Sequence, residues 1–142
     1  MKNTFLLLLL LLTAFSCTDS LDNTNEMEEP QTDNAYLLVG TYTKKGSEGI
    51  YTFTFDEATG EFMPIDTVSS GSDPSFLEVA PNKKFVYAVN ETNGGSVEAF
   101  SFSEGKLTSL NMASSGGPHP CYVTVDATGK WCIAGNYTGG SL

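Results

Sequence analysis

Tyr36-Leu37-Leu38-Val39-Gly40-Thr41-Tyr42-Thr43, Phe85-Val86-Tyr87-Ala88-Val89-Asn90-Glu91-Thr92 and Trp131-Cys132-Ile133-Ala134-Gly135-Asn136-Tyr137-Thr138 align without a gap, at a spacing of just under fifty residues. Between them, Ile50-Tyr51-Thr52-Phe53-Thr54-Phe55 matches Val97-Glu98-Ala99-Phe100-Ser101-Phe102, and Pro74-Ser75-Phe76-Leu77-Glu78-Val79 matches Pro120-Cys121-Tyr122-Val123-Thr124-Val125. Each period therefore holds four short β-branched or aromatic runs. They are separated by turn chemistry such as Ala80-Pro81-Asn82-Lys83-Lys84, Asn93-Gly94-Gly95, Ser103-Glu104-Gly105 and Ser114-Ser115-Gly116-Gly117-Pro118. No segment carries a helical period. Self-similarity at this period, with four strands per repeat, predicts an all-β chain built of β-propeller blades, each sheet stacking its two apolar faces on its neighbours. A sandwich is the competing architecture, and the ungapped repeat with a constant strand order argues against it.

With the run after Pro74 taken as the innermost strand, the chain enters at the second strand of a blade, completes that blade, builds a whole one and begins another. That amounts to about two four-stranded blades in residues 35–142, whereas a closed wheel needs at least about four. The expectation is a truncated propeller, with ring completion by oligomerisation as the alternative. An isolated piece would expose an apolar blade face and an unpaired edge.

The segment before the first strand reads differently. Lys2 precedes an apolar run from Phe5 to Phe15, then Ser16 and Cys17, which is the layout of a secretory signal over 1–16. This run is shorter than the roughly 20 apolar residues a bilayer span requires. Leu12-Thr13-Ala14-Phe15-Ser16-Cys17 resembles the bacterial lipobox, with Phe15 bulkier than the usual pattern. Lipidation at Cys17 would make it the new N-terminus and tie the protein to a membrane; an ordinary signal with a chance cysteine is the other reading. Residues 17–34 contain Asp19, Asp22, Glu26, Glu28, Glu29 and Asp33 and no basic residue, and are expected to form a solvated acidic tether. The resulting expectation is an exported bacterial lipoprotein, periplasmic or anchored at the outer membrane or cell surface.

The net charge is −10, from 17 acidic residues against 7 lysines, with no arginine. Binding to a phosphate backbone needs a basic stripe, so nucleic acid is not an expected partner. A turn at 127–130 would put Cys132 opposite Val125 and Cys121 opposite Asn136. At about 3.4 Å per residue the two thiols would then lie beyond disulfide reach. They are expected to be buried free cysteines acting as small hydrophobes.

Strand parity sorts the loops. One face collects residues 41–49, 71–74, 90–95, 116–120 and 136–141, while the opposite face carries the tight lysine-bearing turns 81–84 and 128–130, read as structural. On the favoured face His119 lies between Pro118 and Pro120, which stiffen its loop. Its proton affinity near neutrality suits it to act as general base on a water or to orient a carbonyl, or it is simply a hydrogen-bonded loop residue. Asn136 and Tyr137, within Asn136-Tyr137-Thr138-Gly139-Gly140, offer amide and phenol donors beside bare backbone, or form a plain turn. A single histidine and no clustered cysteine give no zinc-ligand spacing. There is no Gly-x-Ser-x-Gly elbow and no phosphate-cradling loop.

Val39-Gly40-Thr41-Tyr42, Pro74-Ser75-Phe76-Leu77, Tyr87-Ala88-Val89-Asn90-Glu91 and Gly135-Asn136-Tyr137-Thr138-Gly139-Gly140-Ser141 resemble the lactonase family of seven-bladed β-propellers. That family includes the propeller-type 6-phosphogluconolactonases and the carboxymuconate cyclases, and is also called the cycloisomerase 2 family. The resemblance runs over nearly all of residues 35–142. It implies hydrolysis or formation of a small-molecule lactone in the central channel, without metal or cofactor. The family's clearer catalytic candidates, a histidine followed by arginine and glutamate residues, lie in later blades, so the catalytic residues are expected beyond Leu142. For His119, Asn136 and Tyr137 the resemblance implies at most a substrate-binding, channel-lining place. An exported protein would meet unphosphorylated sugar or aldonic lactones rather than sugar phosphates. A binding or scaffold propeller without catalysis is the other function class, since propellers host many unrelated activities.

Overall fold

The alternating β-branched and aromatic runs become nine strands in the computed structural model, which describes residues 35–142. The signal, Cys17 and the acidic tether lie outside the described residues. Strands β1 (Ala35–Val39), β2 (Ile50–Phe55) and β3 (Phe62–Val68) form one antiparallel sheet. Strands β4 (Leu77–Val79), β5 (Phe85–Asn90), β6 (Ser96–Ser103) and β7 (Lys106–Ser114) form a second, and β8 (Pro120–Val125) pairs with β9 (Cys132–Asn136) in a third. Sheets of three, four and two strands, each meandering in sequence order, are the described portion of a β-propeller.

The repeat extends to its irregularities. In β3 the extra residue Ile65 bulges opposite Thr52 and Phe53 of β2. In β7 Leu110 bulges likewise opposite Ala99 and Phe100 of β6, the matching pair in the next blade. A bulge adds local twist, and both blades place it opposite the same aromatic.

Burial follows the stacking of sheets. Ile50 from the first blade meets Val86, Ala88, Phe100 and Leu107 from the second in one buried cluster, edged by Leu38, Val68, Leu77 and Phe102. The Tyr36 and Phe102 rings cross this boundary edge to face, 5.5 Å between centroids. Phe76 and Tyr122 meet across the next boundary as tilted rings, 5.0 Å apart, where Val123 is fully buried. Strand β4 touches β8, and β3 touches β7. Like strands of successive blades are therefore neighbours, with β4 and β8 innermost.

The last hairpin departs from expectation in one respect. Val125 faces Cys132 as the turn predicts, but Asn136 faces Pro120 rather than Cys121, because a bulge at Cys121 takes one residue out of the ladder. Both thiols are free, yet both are exposed rather than buried. Cys121 lies on the bulge, and Cys132 opens into a cleft of about 440 Å³ between β9 and the Val97, Ala99 and Ala113 side of the second blade.

The turns on the face away from the glycine-rich loops are closed by acidic or amide side chains accepting from the backbone. Asp56 Oδ1 accepts from the Ala58 and Thr59 amides, at 2.8 and 3.2 Å. Asn82 Oδ1 accepts from Lys84 N at 2.9 Å. Asp126 accepts from the amides of Thr128 (3.1 Å), Lys130 (2.8 Å) and Trp131 (2.9 Å) and from the Thr128 hydroxyl. The Thr128 hydroxyl and these amides pull its carboxyl down to about 2. A carboxyl whose folded value lies below its unfolded one contributes order above about pH 4, and loses it as the pH falls toward 2. Asp126→Ala is therefore expected to speed amide hydrogen exchange at Thr128, Lys130 and Trp131 at neutral pH. Equal exchange in both proteins at pH 7 would show that the turn holds without its carboxylate.

Candidate functional site

The glycine-rich loops meet on one face, and a repeated polar position organises each of them. Thr41, Asn90 and Asn136 occupy the same place after successive second strands. The Thr41 hydroxyl bonds Ser47 Oγ and donates to the Gly49 carbonyl at 2.6 Å. Asn90 Nδ2 donates to Ser96 Oγ at 3.0 Å, and Asn136 Nδ2 to Ser141 Oγ at 3.2 Å and Ser115 O at 2.9 Å. Both asparagines sit under a glycine of the loop entering their blade. A Cβ at Gly71 would come within 2.7 Å of the Asn90 amide, and one at Gly117 within 2.9 Å of that of Asn136. That close approach of backbone to side chain is why these positions carry no side chain of their own.

A second repeated position precedes the proline of each inner strand. Asp73 and His119 correspond there, and both adopt left-handed backbone, φ 56° and 54°. Asp73 O accepts from Glu91 N at 3.0 Å, and His119 O from Tyr137 N at 2.9 Å. Each also reaches back to the preceding blade. Asp73 N donates to Thr43 Oγ1 at 3.2 Å, and His119 N donates to Thr92 O at 2.8 Å. The residue before the proline is thus a clasp between blades, and the backbone of His119 is committed to it.

The three residues singled out from sequence lie in this one knot. His119 is half-buried, with Nδ1 buried and without a hydrogen-bond partner among the described residues. Asn136 is buried, its amide nitrogen spent on its loop and its Oδ1 without a partner among the described residues. Tyr137 is 81% exposed, leaving its phenol in solvent above the knot.

Sequence reasoning missed a second group on the same face. Tyr42 donates its hydroxyl to Glu91 Oε2 at 2.7 Å, and Ser75 donates to the same oxygen at 2.5 Å. Tyr42 comes from the first blade, Glu91 from the end of β5, and Ser75 from the entry to inner strand β4. The hydrogen bond to Glu91, then burial and the glutamate's charge, raise the Tyr42 phenol above its usual value. It therefore remains a donor through neutral and mildly alkaline pH. Beside it, Lys44 Nζ lies 2.9 Å from Asp73 Oδ2, the ion pair found among the described residues. A signal for this group existed in the repeat, since Tyr42, Glu91 and Tyr137 hold equivalent places and equivalent places meet across blades.

Outward from the Asp73 clasp lies a cleft of about 610 Å³ lined by Thr43, Ser47, Ser69, Ser70 and Ser72 with Glu48. Among the described residues this face offers hydroxyls, amides and carboxylates; of the two lysines in its 41–49 loop, Lys44 pairs with Asp73 and Lys45 lies beside it. Such groups suit a neutral, polyhydroxylated ligand.

The sequence profile described as "Lactonase, 7-bladed beta-propeller" matches residues 36–142. A 6-phosphogluconolactonase of Formosa agariphila is 36% identical over 112 residues, covering 75% of this chain and 32% of that protein. Among solved structures, a Bacteroides fragilis protein provisionally described as a 6-phosphogluconolactonase superposes with TM-score 0.72 at 40% identity. It covers 78% of this chain and 31% of its own. A periplasmic gluconolactonase of Pseudomonas aeruginosa superposes with TM-score 0.67 at 31% identity, over 72% of this chain and 31% of its own. The chain thus spans about a third of the length of the curated relatives it matches.

Proposed function

Because the chain belongs to the lactonase family of seven-bladed β-propellers, we propose that the full-length protein hydrolyses the ester bond of an unphosphorylated sugar or aldonic lactone. In that reaction water oxygen bonds to the carbonyl carbon, the ring C–O bond breaks, and the released alkoxide takes a proton to give the open hydroxy acid. The described residues supply part of the binding face, and blades outside this sequence supply the groups that act on the carbonyl.

The observation that carries the substrate class is the charge of the loop face. A 6-phosphate demands cations, preferably the forked donors of arginine. Residues 35–142 bring no arginine to this face; Lys44 is held by Asp73, Lys45 beside it is the other cation of the 41–49 loop, and Glu91 is paired only with neutral hydroxyls. The leader-like segment ending in Cys17 supports the same reading, since a lipidated, exported protein anchored at a membrane meets free sugars. The periplasmic setting of the Pseudomonas relative is consistent with it.

Steady-state hydrolysis of D-glucono-δ-lactone and of its 6-phosphate by the full-length protein tests this. The expected result is a kcat/KM at least about tenfold higher for the unphosphorylated lactone, equivalent to about 1.4 kcal/mol of preferential transition-state binding. Preference for the phosphate overturns the substrate class, and turnover of neither leaves a ligand-binding wheel without catalysis.

A further inference from the structure

Glu91 has two features that its place in the fold does not require. Both hydroxyls that reach it, from Tyr42 at 2.7 Å and Ser75 at 2.5 Å, go to Oε2. Among the described residues no donor reaches Oε1. No lysine pairs with it either, the ion pair of this face being Lys44 with Asp73. The backbone does the structural work at this position, through Glu91 N donating to Asp73 O at 3.0 Å. The carboxylate is then free of that duty, half-buried at the entry to the innermost strand.

A carboxylate fixed through one oxygen, with the other unengaged, is a ready acceptor for ligand hydroxyls, and charge-assisted acceptance is among the stronger hydrogen bonds. We infer that Glu91, oriented by Tyr42 and Ser75, is the specificity-determining residue that accepts hydroxyl groups of a neutral sugar lactone through Oε1. This assignment rests on the lactonase reading above and names a hydroxyl-recognising subsite within it. The same negative charge repels a phosphate on the ligand, and the half-buried setting limits its screening by water. Glu91 is not placed on the reacting carbonyl, so its loss weakens binding of hydroxylated substrates more than it slows the chemical step.

The test compares wild-type and Glu91→Gln full-length protein on two substrates, D-glucono-δ-lactone and δ-valerolactone, which lacks the ring hydroxyls. The expected result is a KM for glucono-δ-lactone raised about tenfold in Glu91→Gln, with kcat changed much less. The loss in kcat/KM should be several-fold larger than for δ-valerolactone. Tyr42→Phe, which frees Glu91 from one of its two positioning bonds, gives a smaller rise in KM of the same selectivity. Equal losses on both lactones, or none on either, overturn the assignment. Calorimetric titration with D-glucono-δ-lactam, a neutral analogue that resists hydrolysis, separates the two claims. Lactam binding that Glu91→Gln abolishes, in a protein that turns over neither lactone, keeps the subsite and drops the hydrolysis. Turnover with lactam binding untouched by Glu91→Gln drops the subsite and keeps the hydrolysis. No binding and no turnover by the wild type overturns both.

Discussion

Phe100→Ala is expected to lower the unfolding free energy of the protein by about 3–5 kcal/mol, the range for emptying a fully buried aromatic site. Phe100 has no exposed surface and sits where Ile50 of the first blade meets Val86, Ala88 and Leu107 of the second. The space it leaves is bounded by two hydrogen-bonded sheets, which cannot move together without breaking the register of β6 on the bulged strand β7. The equivalent ring in the first blade provides the control. Phe53 is half-buried and rests edge to face on Phe62, 5.4 Å away, in the same sheet. Phe53→Ala should cost roughly half as much or less, because its site is already open to solvent. Chemical denaturation of both variants reads the difference as midpoint shifts at constant slope. If Phe100→Ala cost no more than Phe53→Ala, the core would not lie between the blades.

Much of this architecture was legible because a propeller writes itself locally. Two-residue alternation set strand identity, turn residues set the hairpins, and the recurring stretches set the strand order that appears as sheets of three, four and two strands. Loop parity placed His119, Asn136 and Tyr137 on one face, and the backbone bond from Tyr137 to His119 joins them there. What escaped depends on features without local signal. The bulge at Cys121 follows from Pro120, which has no amide hydrogen to donate at the point where the strand begins. It shifted the expected partner of Asn136 by one residue. The exposure of both thiols depends on which sheet covers them, not on their alternation. Contacts such as Tyr42 to Glu91 span 49 residues and depend on the rotation from one blade to the next. Hydrophobic period does not encode that rotation, although repeat-equivalent positions do mark where such contacts fall.

Asp73→Ala is expected to cost about 2 kcal/mol at pH 7, chiefly because the Thr43 amide and hydroxyl lose their acceptor. Asp73 has no exposed surface and is the side chain that locks the first blade to the second. Its Oδ1 accepts from Thr43 N at 2.9 Å and Thr43 Oγ1 at 3.2 Å, and its Oδ2 meets Lys44 Nζ. Its carbonyl receives both Ser75 N and Glu91 N, at 2.8 and 3.0 Å, so the residues of the hydroxyl subsite hang from the same clasp. Burial pushes this carboxyl up, but the adjacent Lys44 ammonium and the hydrogen bond from the Thr43 amide outweigh it and hold the group below the usual carboxylate range. A folded value below the unfolded one means that the clasp stabilises fully above about pH 4 and loses that contribution as the pH falls through the folded value. Asp73→Asn keeps an acceptor for Thr43 and a residue type that tolerates φ of 56°. It should therefore cost only about 1 kcal/mol at pH 7, and its disadvantage should shrink in acid as the wild-type carboxylate protonates. Lys44→Ala should cost less than Asp73→Ala, because Lys44 is exposed and its loss leaves Asp73 still bonded to Thr43. Urea unfolding of the three variants at pH 7 and pH 3 measures all of this. A gap between wild type and Asp73→Asn that stays constant across that range would mean that the charge of Asp73 is irrelevant to the joint. Shape and backbone alone would then hold the two blades together.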